Sequence, residues 1–320
     1  MNISRDGIRQ IRSALATASG AELLQQLPFV AAPLRLLERH PTAHGAVLST
    51  FGLRRPIFID HRSEPRSRFG HGRPAQPALH AMISRDHDRY ARRLDTVASQ
   101  IPHLSAIPVR ADLDGADPYW ANGWLPPADA AALYGFVAVG HPARYLEIGS
   151  GNSTKVVRRA ISDHALRTRV TSIDPALRAG IDPLCDRIIR RPLQDSDLTL
   201  FDTLEAGDIV FFDGSHRAFM GSDVTVFFLE VLPRLRSGVL VHIHDVWLPA
   251  DYPPAWRWRH YSEQYVLAAY LLGGASNLVV ELPNAYVAGV PELASRLQPL
   301  WTGLGLTNRL APTSFWLSVR

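Results

Sequence analysis

The sequence predicts an α/β protein: a doubly wound, mostly parallel, seven-stranded sheet with a mainly helical N-terminal extension. Three observations predict it. From about residue 116 onward, short β-rich runs alternate with longer helical patterns, the texture of strand–helix–strand crossovers. One of those runs ends in an acid and two glycines just before a helix, the kind of turn at which open parallel sheets bind ligands. Residues 1–115 lack that alternation and are basic. On this reading the chain divides into an extension over 1–115 and a sheet domain over 116–320.

In the extension, Gly20 separates helix-like stretches near 5–18 and 21–39. The segment 52–78, with Arg54, Pro56, Arg62, Pro65, Arg68, Gly70, Gly72 and Pro77, reads as loop or weakly ordered linker. Residues 78–100 return to helical spacing through Leu79, Met82, Ile83, Tyr90, Leu94 and Val97. The strands expected beyond are 144–148, 169–173, 187–190, 209–212, 239–243, 278–280 and 314–317. Between them, Val156, Val157, Ala160 and Ile161 share one helix face. Val224, Phe227, Phe228, Val231, Leu232 and Leu235 form a second amphipathic run with Ser222 as its cap. A third helix runs from near Ser262 to Gly273–Gly274.

A chain of 320 residues with 46% apolar and 20% charged positions suits one large core or two modest ones. No stretch approaches the ~18 to 20 unbroken apolar residues of a membrane span. Charges scattered through the first 25 residues break any compact apolar leader, so a cytoplasmic protein is expected. The single cysteine, Cys185, excludes an internal disulfide framework and a cysteine-built metal site within one chain. Lys155 is the only lysine among 34 basic residues. Residues 1–115 carry 16 arginines against 10 acids, whereas 116–320 carry 18 basic residues against 20 acids. A basic arm of that kind suits nucleic acid or anionic lipid, but no aromatic-interleaved basic stripe accompanies it, and a solvated extension is the simpler reading.

The sharpest motif runs from Tyr145 through Glu147, Gly149, Gly151 and Ser153 to Lys155. A strand ends, turns through two glycines and enters a helix expected to be capped by Ser153. A phosphate-binding P-loop needs Gly directly before Lys-Ser/Thr, and here Thr154 precedes Lys155. A dinucleotide fingerprint needs a third glycine where Thr154 stands. Glu-x-Gly-x-Gly instead suits a ligand with a cationic amine and a carboxylate but no phosphate. The plain alternative is a glycine turn with no ligand.

Glu147-x-Gly149-x-Gly151 resembles motif I of class I S-adenosylmethionine-dependent methyltransferases. About 20 residues on, Asp174 ends the next strand; Gly207 to His216, containing Asp213, resembles motif IV; Leu235 to Pro249, containing His242, His244 and Asp245, resembles the helix–turn–strand that follows. The ordered set is similar to the branch that includes macrocin-type sugar O-methyltransferases. The resemblance covers roughly 120–320. It implies a Rossmann-like sheet and S-adenosyl-L-methionine as cofactor, with Glu147, Gly149 and Gly151 at its methionine part and Asp174 on its ribose. It further implies methyl transfer to a hydroxyl of a small-molecule or sugar-containing acceptor. RNA methylation anchored by the basic front is an alternative reading, and a scaffold that binds cofactor without turnover is another.

Asp213 and Asp245 fall at the carboxyl ends of strands expected to be neighbours, about 4.8 Å apart. Two such carboxylates raise each other's pKa unless a cation or proton is shared. Mg2+ held by Asp213 and Asp245 is one solution, activating the acceptor hydroxyl, although Val246 stands where a further carboxylate or amide is expected. A histidine base is the other, from His216 or His244, with His242 more readily structural. Strand alternation puts His242 and His244 on one face and Asp245 on the other. The aromatic, proline- and arginine-rich segment Trp247–Tyr261 reads as an acceptor wall for a sugar or acidic group, or as a packed loop or homo-oligomer contact.

Overall fold

The computed structural model describes residues 64–111, 115–176, 180–307 and 309–320. The helical stretches expected near 5–18 and 21–39 and the front of the 52–78 segment lie outside them. Seven strands form one sheet: β1 (Arg144–Ile148), β2 (Arg169–Ile173), β3 (Arg187–Ile189), β4 (Ile209–Phe212), β5 (Leu240–Ile243), β6 (Leu278–Pro283) and β7 (Phe315–Val319). Their order is β3-β2-β1-β4-β5-β7-β6. The first five pair in parallel, and β7 runs antiparallel between β5 and β6. This is the Rossmann-like arrangement expected. The central strand β4 is Ile-Val-Phe-Phe, buried throughout, because helices cover both faces of a parallel sheet. Chain order reverses between β1 and β4, so the ends of those strands and of β5 open onto a common crevice.

The front of the described chain belongs to this core. Helices α1 (Pro77–Ile83), α2 (His87–Ala98) and α3 (Ile101–Leu104) place Leu79, Ile83, Tyr90, Leu94, Val97 and Leu104 in the same buried cluster as the sheet. Arg93 adds a two-pronged pair to Glu281, at 2.9 and 2.8 Å. One compact unit spans Pro65–Arg320, so the boundary expected at 115/116 falls inside it.

Three more helices flank the sheet: α4 (Pro127–Gly140), α5 (Asn152–Asp163) and α6 (Asp223–Val226). Helix α4 is buried on nearly every side and so lacks the apolar stripe that would betray it in sequence. The run Val224–Leu235 starts where expected, with Ser222 Oγ accepting from Thr225 N at 3.3 Å. It is α-helical only to Val226, continues as a π turn over Phe227–Val231 and ends as a 3₁₀ turn over Leu232–Arg234. Pro233 accounts for the change: it has no N–H for the carbonyl of Leu229, and its ring crowds that carbonyl. Beyond β5 come α7 (Glu263–Leu272) and, after β6, the short helices α8 (Asn284–Ala288), α9 (Pro291–Ala294) and α10 (Gln298–Gly303).

Candidate active site

The turn after β1 is built around Glu147, whose side chain is fully buried. Its carboxylate accepts from Tyr145 Oη (3.1 Å), Ser153 Oγ (3.0 Å) and Thr154 Oγ1. Burial raises its pKa to about 7 against those hydrogen bonds. Ser153 is therefore a donor to Glu147 and not the cap expected of it. The helix starts at Asn152 with Gly151 in the cap position, two residues earlier than a Ser153 cap implies, and Thr154 Oγ1 accepts from the Gly151 N–H at 3.1 Å.

The two glycines do different work. Gly149 has φ +79°, and a Cβ there would lie 2.0 Å from the Asp213 carbonyl oxygen. It thus lets the glycine turn and the end of β4 meet. Nothing lies within 4 Å of where a Gly151 side chain would start. The turn therefore has open space beside Gly151, above the first free N–H groups of α5, as a cradle for an amino acid portion requires. Asp174 lies at the end of β2, half-buried, accepting from Ser150 N (2.9 Å) and Ala176 N (2.8 Å). Glu147, Gly149, Gly151 and Asp174 are thereby brought to one turn, and these residues fit S-adenosyl-L-methionine.

At the ends of β4 and β5, four of the expected residues meet. His216 Nε2 lies 3.2 Å from Asp213 Oδ1 and 3.5 Å from Asp245 Oδ2. His244 Nδ1 lies 3.5 Å from Asp213 Oδ1 and 3.5 Å from Asp245 Oδ1. Strict alternation would send Asp245 to the opposite face. Its φ of +55° ends the strand pattern and turns it back toward the histidines. His216 also has a left-handed backbone (φ +60°), held by Ser262 N at 2.8 Å and Glu263 N at 3.3 Å on its carbonyl. His242 does not join the cluster: it stacks on Phe211 at 3.9 Å, its Nε2 meets Ser314 Oγ at 2.6 Å, and burial keeps it neutral.

Two residues of this cluster escaped the sequence reading. Glu263, which sequence alone gave as a first-turn helix residue, is buried and receives His216 Nδ1 at 2.8 Å. Asp129, in the first turn of α4, is buried beneath His244 Nε2 at 3.8 Å and accepts from Asn284 Nδ2 and Thr313 N, each at 2.7 Å. A lone acid in the apolar run Pro-Ala-Asp-Ala-Ala-Ala-Leu was the available signal for Asp129.

The cluster's charges follow from this geometry. Burial disfavours a charged His216, but its hydrogen bonds and charge contacts with Asp213 and Glu263 outweigh burial and hold its pKa well above the usual histidine range. Burial opposes the same change in His244, and Asp213, then Asp245 and Asp129, raise it to about 9. In return, His244 and His216 overcome the burial of Asp213 and hold it well below the usual carboxylate range. Protonated imidazoles thus supply the positive charge that the sequence reading gave to magnesium. The expected Mg2+ on Asp213 and Asp245 does not fit this donor set. Both acids face ring N–H groups where a cation would have to sit, Val246 is buried, and no group of three or more metal-binding side chains is arranged to hold an ion among the described residues.

Residues 146–246 match the family model described as Methyltransferase domain, Methyltransf_24. The match spans the glycine turn and both acids. No curated protein matches the chain. Solved structures similar to it include the S-adenosylhomocysteine-bound methyltransferase PaMTH1 of Podospora anserina, 13% identical over 73% of this chain and 88% of that one, with a TM-score of 0.38. Another is the O-methyltransferase TomG of Streptomyces achromogenes, involved in tomaymycin synthesis, in complex with SAM: 17% identical, over 71% of this chain and 88% of that one, TM-score 0.35. A third, the plantazolicin methyltransferase BamL with a triazolic desmethylPZN analog and SAH, is 13% identical over 76% of this chain and 94% of that one, TM-score 0.39. The domain match gives residues 146–246 the chemistry of a methyltransferase domain.

Proposed function

We propose that the chain methylates a hydroxyl group of a small-molecule or sugar-containing acceptor, with His216 as the proton acceptor. One observation carries this reading: the His216 ring is gripped by Glu263 on one nitrogen while the other faces Asp213 and Asp245 at the ends of neighbouring strands. The resemblance to macrocin-type sugar O-methyltransferases supports a sugar-containing acceptor.

S-adenosyl-L-methionine supplies a methyl group on a positively charged sulfur. Gly149 and Gly151 shape the turn that receives its amino acid portion, Glu147 braces that turn, and Asp174 offers the ribose its remaining lone pairs. His216 must first release its own proton to solvent, and the neutral imidazole then stands ready as a base. Transfer forms the oxygen–methyl bond and breaks the sulfur–methyl bond, whose electron pair stays on sulfur. The acceptor's hydroxyl proton passes to His216 Nε2. The positive charge lost from sulfur thus reappears on the imidazole, and Asp213 and Asp245, still ionised, stabilise it there. Glu263 orients the ring throughout.

Asp213→Asn and Asp245→Asn test this reading. Both variants should bind S-adenosylhomocysteine with near wild-type affinity while turnover on a hydroxyl acceptor panel falls about 10²-fold or more. Chelator should leave wild-type turnover unchanged. Full activity in both variants would move the acceptor site elsewhere; loss of turnover with chelator and its return with magnesium would replace the histidine with a metal.

A further inference from the structure

The wall of the crevice beside His216 carries arginines that the chemistry above does not use. Two loops form it, and hydrogen bonds join them: Arg217 Nε donates to the Arg259 carbonyl at 2.9 Å, and Ala218 N to Ser262 Oγ at 2.9 Å. Tyr261 stands at their junction, its ring 4.5 Å from that of His216. Arg217 lies over the Tyr261 ring at 5.2 Å, and Arg259 lies 5.5 Å from the same ring and 4.0 Å from that of Trp256. Both guanidiniums are thus one aromatic ring away from the proposed base. The arginine ion pairs among the described residues all belong to other arginines.

Two like charges gathered without a carboxylate repel each other, and the aromatic rings offset that only in part. Stacking has a second consequence. It fixes each planar guanidinium and so lowers the entropy cost of presenting its N–H edge to an anion in a forked geometry. Arg217 commits only Nε and one Nη1 proton, to the Arg259 and Ser215 carbonyls, which leaves Nη2 free to donate. Arg259 is exposed.

We propose that Arg217 and Arg259 form an anion subsite, and that the acceptor carries a carboxylate, sulfate or phosphate besides the hydroxyl that is methylated. The inference rests on the proposed reading of the site and narrows its substrate class. An anion held there neutralises the two arginines and sets the acceptor against the Tyr261 ring. Asp213 and Asp245 flank His216 while the two arginines flank Tyr261, so an acidic side and a basic side adjoin along the site. Such a gradient orients a molecule with an anionic end and a neutral hydroxyl end.

The test uses the full chain and inorganic sulfate, titrated against chloride at constant ionic strength and followed by tryptophan fluorescence, since Trp256 lies against Arg259. The wild type should show a saturable change that Arg217→Gln/Arg259→Gln loses, with S-adenosylhomocysteine affinity and melting temperature retained by the variant. A response that never saturates, or one that the variant keeps, overturns the subsite. A second arm compares hydroxyl acceptors matched except for a carboxylate, sulfate or phosphate. The double variant should lower kcat/KM for the anionic members by about tenfold or more relative to the neutral one, the loss expected for a charge-assisted hydrogen bond. Equal losses on both also overturn it. Should no acceptor turn over, the fault lies with the proposed function, and the sulfate titration alone decides the subsite.

Discussion

Glu263→Gln is the most direct perturbation of the proposed base. The glutamate oxygen lies 2.8 Å from His216 Nδ1, and both side chains are buried. Charge centres then sit about 4 Å apart, and Coulomb's law at an effective dielectric of about 20 gives about 4 kcal/mol, close to three pK units as an upper bound. Opposite charges at such range usually move a pKa by about 1 to 3 units. Glutamine keeps a hydrogen bond to Nδ1–H and removes the charge, so the His216 pKa should fall by about 1 to 2 units. It should remain elevated, because Asp213 and Asp245 still face Nε2. His216 accepts a proton only when neutral. Turnover in the wild type should therefore rise with pH through its raised folded-state pKa, and in Glu263→Gln the same rise should come about 1 to 2 pH units earlier. The variant then retains more of its maximal rate at neutral pH than the wild type does. Stability carries the matching sign. A histidine whose folded pKa exceeds its unfolded value of 6.5 stabilises the fold fully below that value and loses the contribution as pH rises through the folded pKa. The stability gap between wild type and variant should accordingly narrow as the solution becomes alkaline. Histidine-selective NMR titration reads the pKa, and kcat against pH reads its use. Superimposable pH profiles, with His216 titrating unchanged, would refute the argument.

The packing at the front of the described chain gives a second expectation. A chain starting at residue 112 loses Leu79, Ile83, Tyr90, Leu94, Val97, Leu104 and Ile107 from the core. At about 1.5 to 3 kcal/mol for each large side chain, the loss matches or exceeds the whole stability of an ordinary domain, so it should fail to unfold cooperatively in urea, whereas one starting at Pro65 should melt as a unit. A folded, cofactor-binding 112–320 chain would show those helices to be dispensable. Gly149→Ala should cost about 2 kcal/mol or more in urea unfolding, from left-handed strain alone, and should weaken S-adenosylhomocysteine binding as the turn shifts off the Asp213 carbonyl. Unaltered stability and affinity would mean that the backbone relieves the 2.0 Å contact without moving the site.

Much of the sheet was legible because its parallel strands are short apolar runs that end in turn residues. Strands β1, β2 and β4 fall at their expected limits, and Gly149, Asp174, Asp213 and Asp245 stand at the carboxyl ends of four parallel strands or just beyond them. Helix α4 was not legible. Periodicity reveals a helix only when one side meets water, and Pro127–Gly140 is buried nearly all round. The boundary at 115/116 went astray for a related reason: α2 carries many charges, and its core face of Tyr90, Leu94 and Val97 looks in sequence like an ordinary surface helix. Within the site, residues near one another in sequence, such as Asp213 with His216 and His244 with Asp245, were found together. Glu263 and Asp129 were not, since no local pattern connects residue 129 to 244 or 216 to 263. Asp245 was assigned to the wrong face because strand alternation holds only while φ stays extended, and here it turns positive.

The two histidines share Asp213 and Asp245 yet differ on their far sides, and that difference separates their roles. His216 Nδ1 has a buried carboxylate at hydrogen-bond distance, which fixes its tautomer and leaves Nε2 as the nitrogen that exchanges its proton. His244 Nε2 has no hydrogen-bond partner among the described residues, and Asp129 lies 3.8 Å away, tied instead to Asn284 and Thr313. A proton on His244 is therefore held by charge more than by directed bonds. His244 is also buried at the end of β5, where its backbone N–H binds the Phe212 carbonyl at 2.9 Å. His216 sits on the loop after β4, between the half-exposed Asp213 and Tyr261. The arrangement suits His244 to act as a fixed cation that keeps Asp213 and Asp245 ionised, and His216 to act as the mobile proton store. Neutralising the fixed cation should then raise the pKa of both acids, and removing the store should leave those acids ionised but with nothing basic beside the hydroxyl.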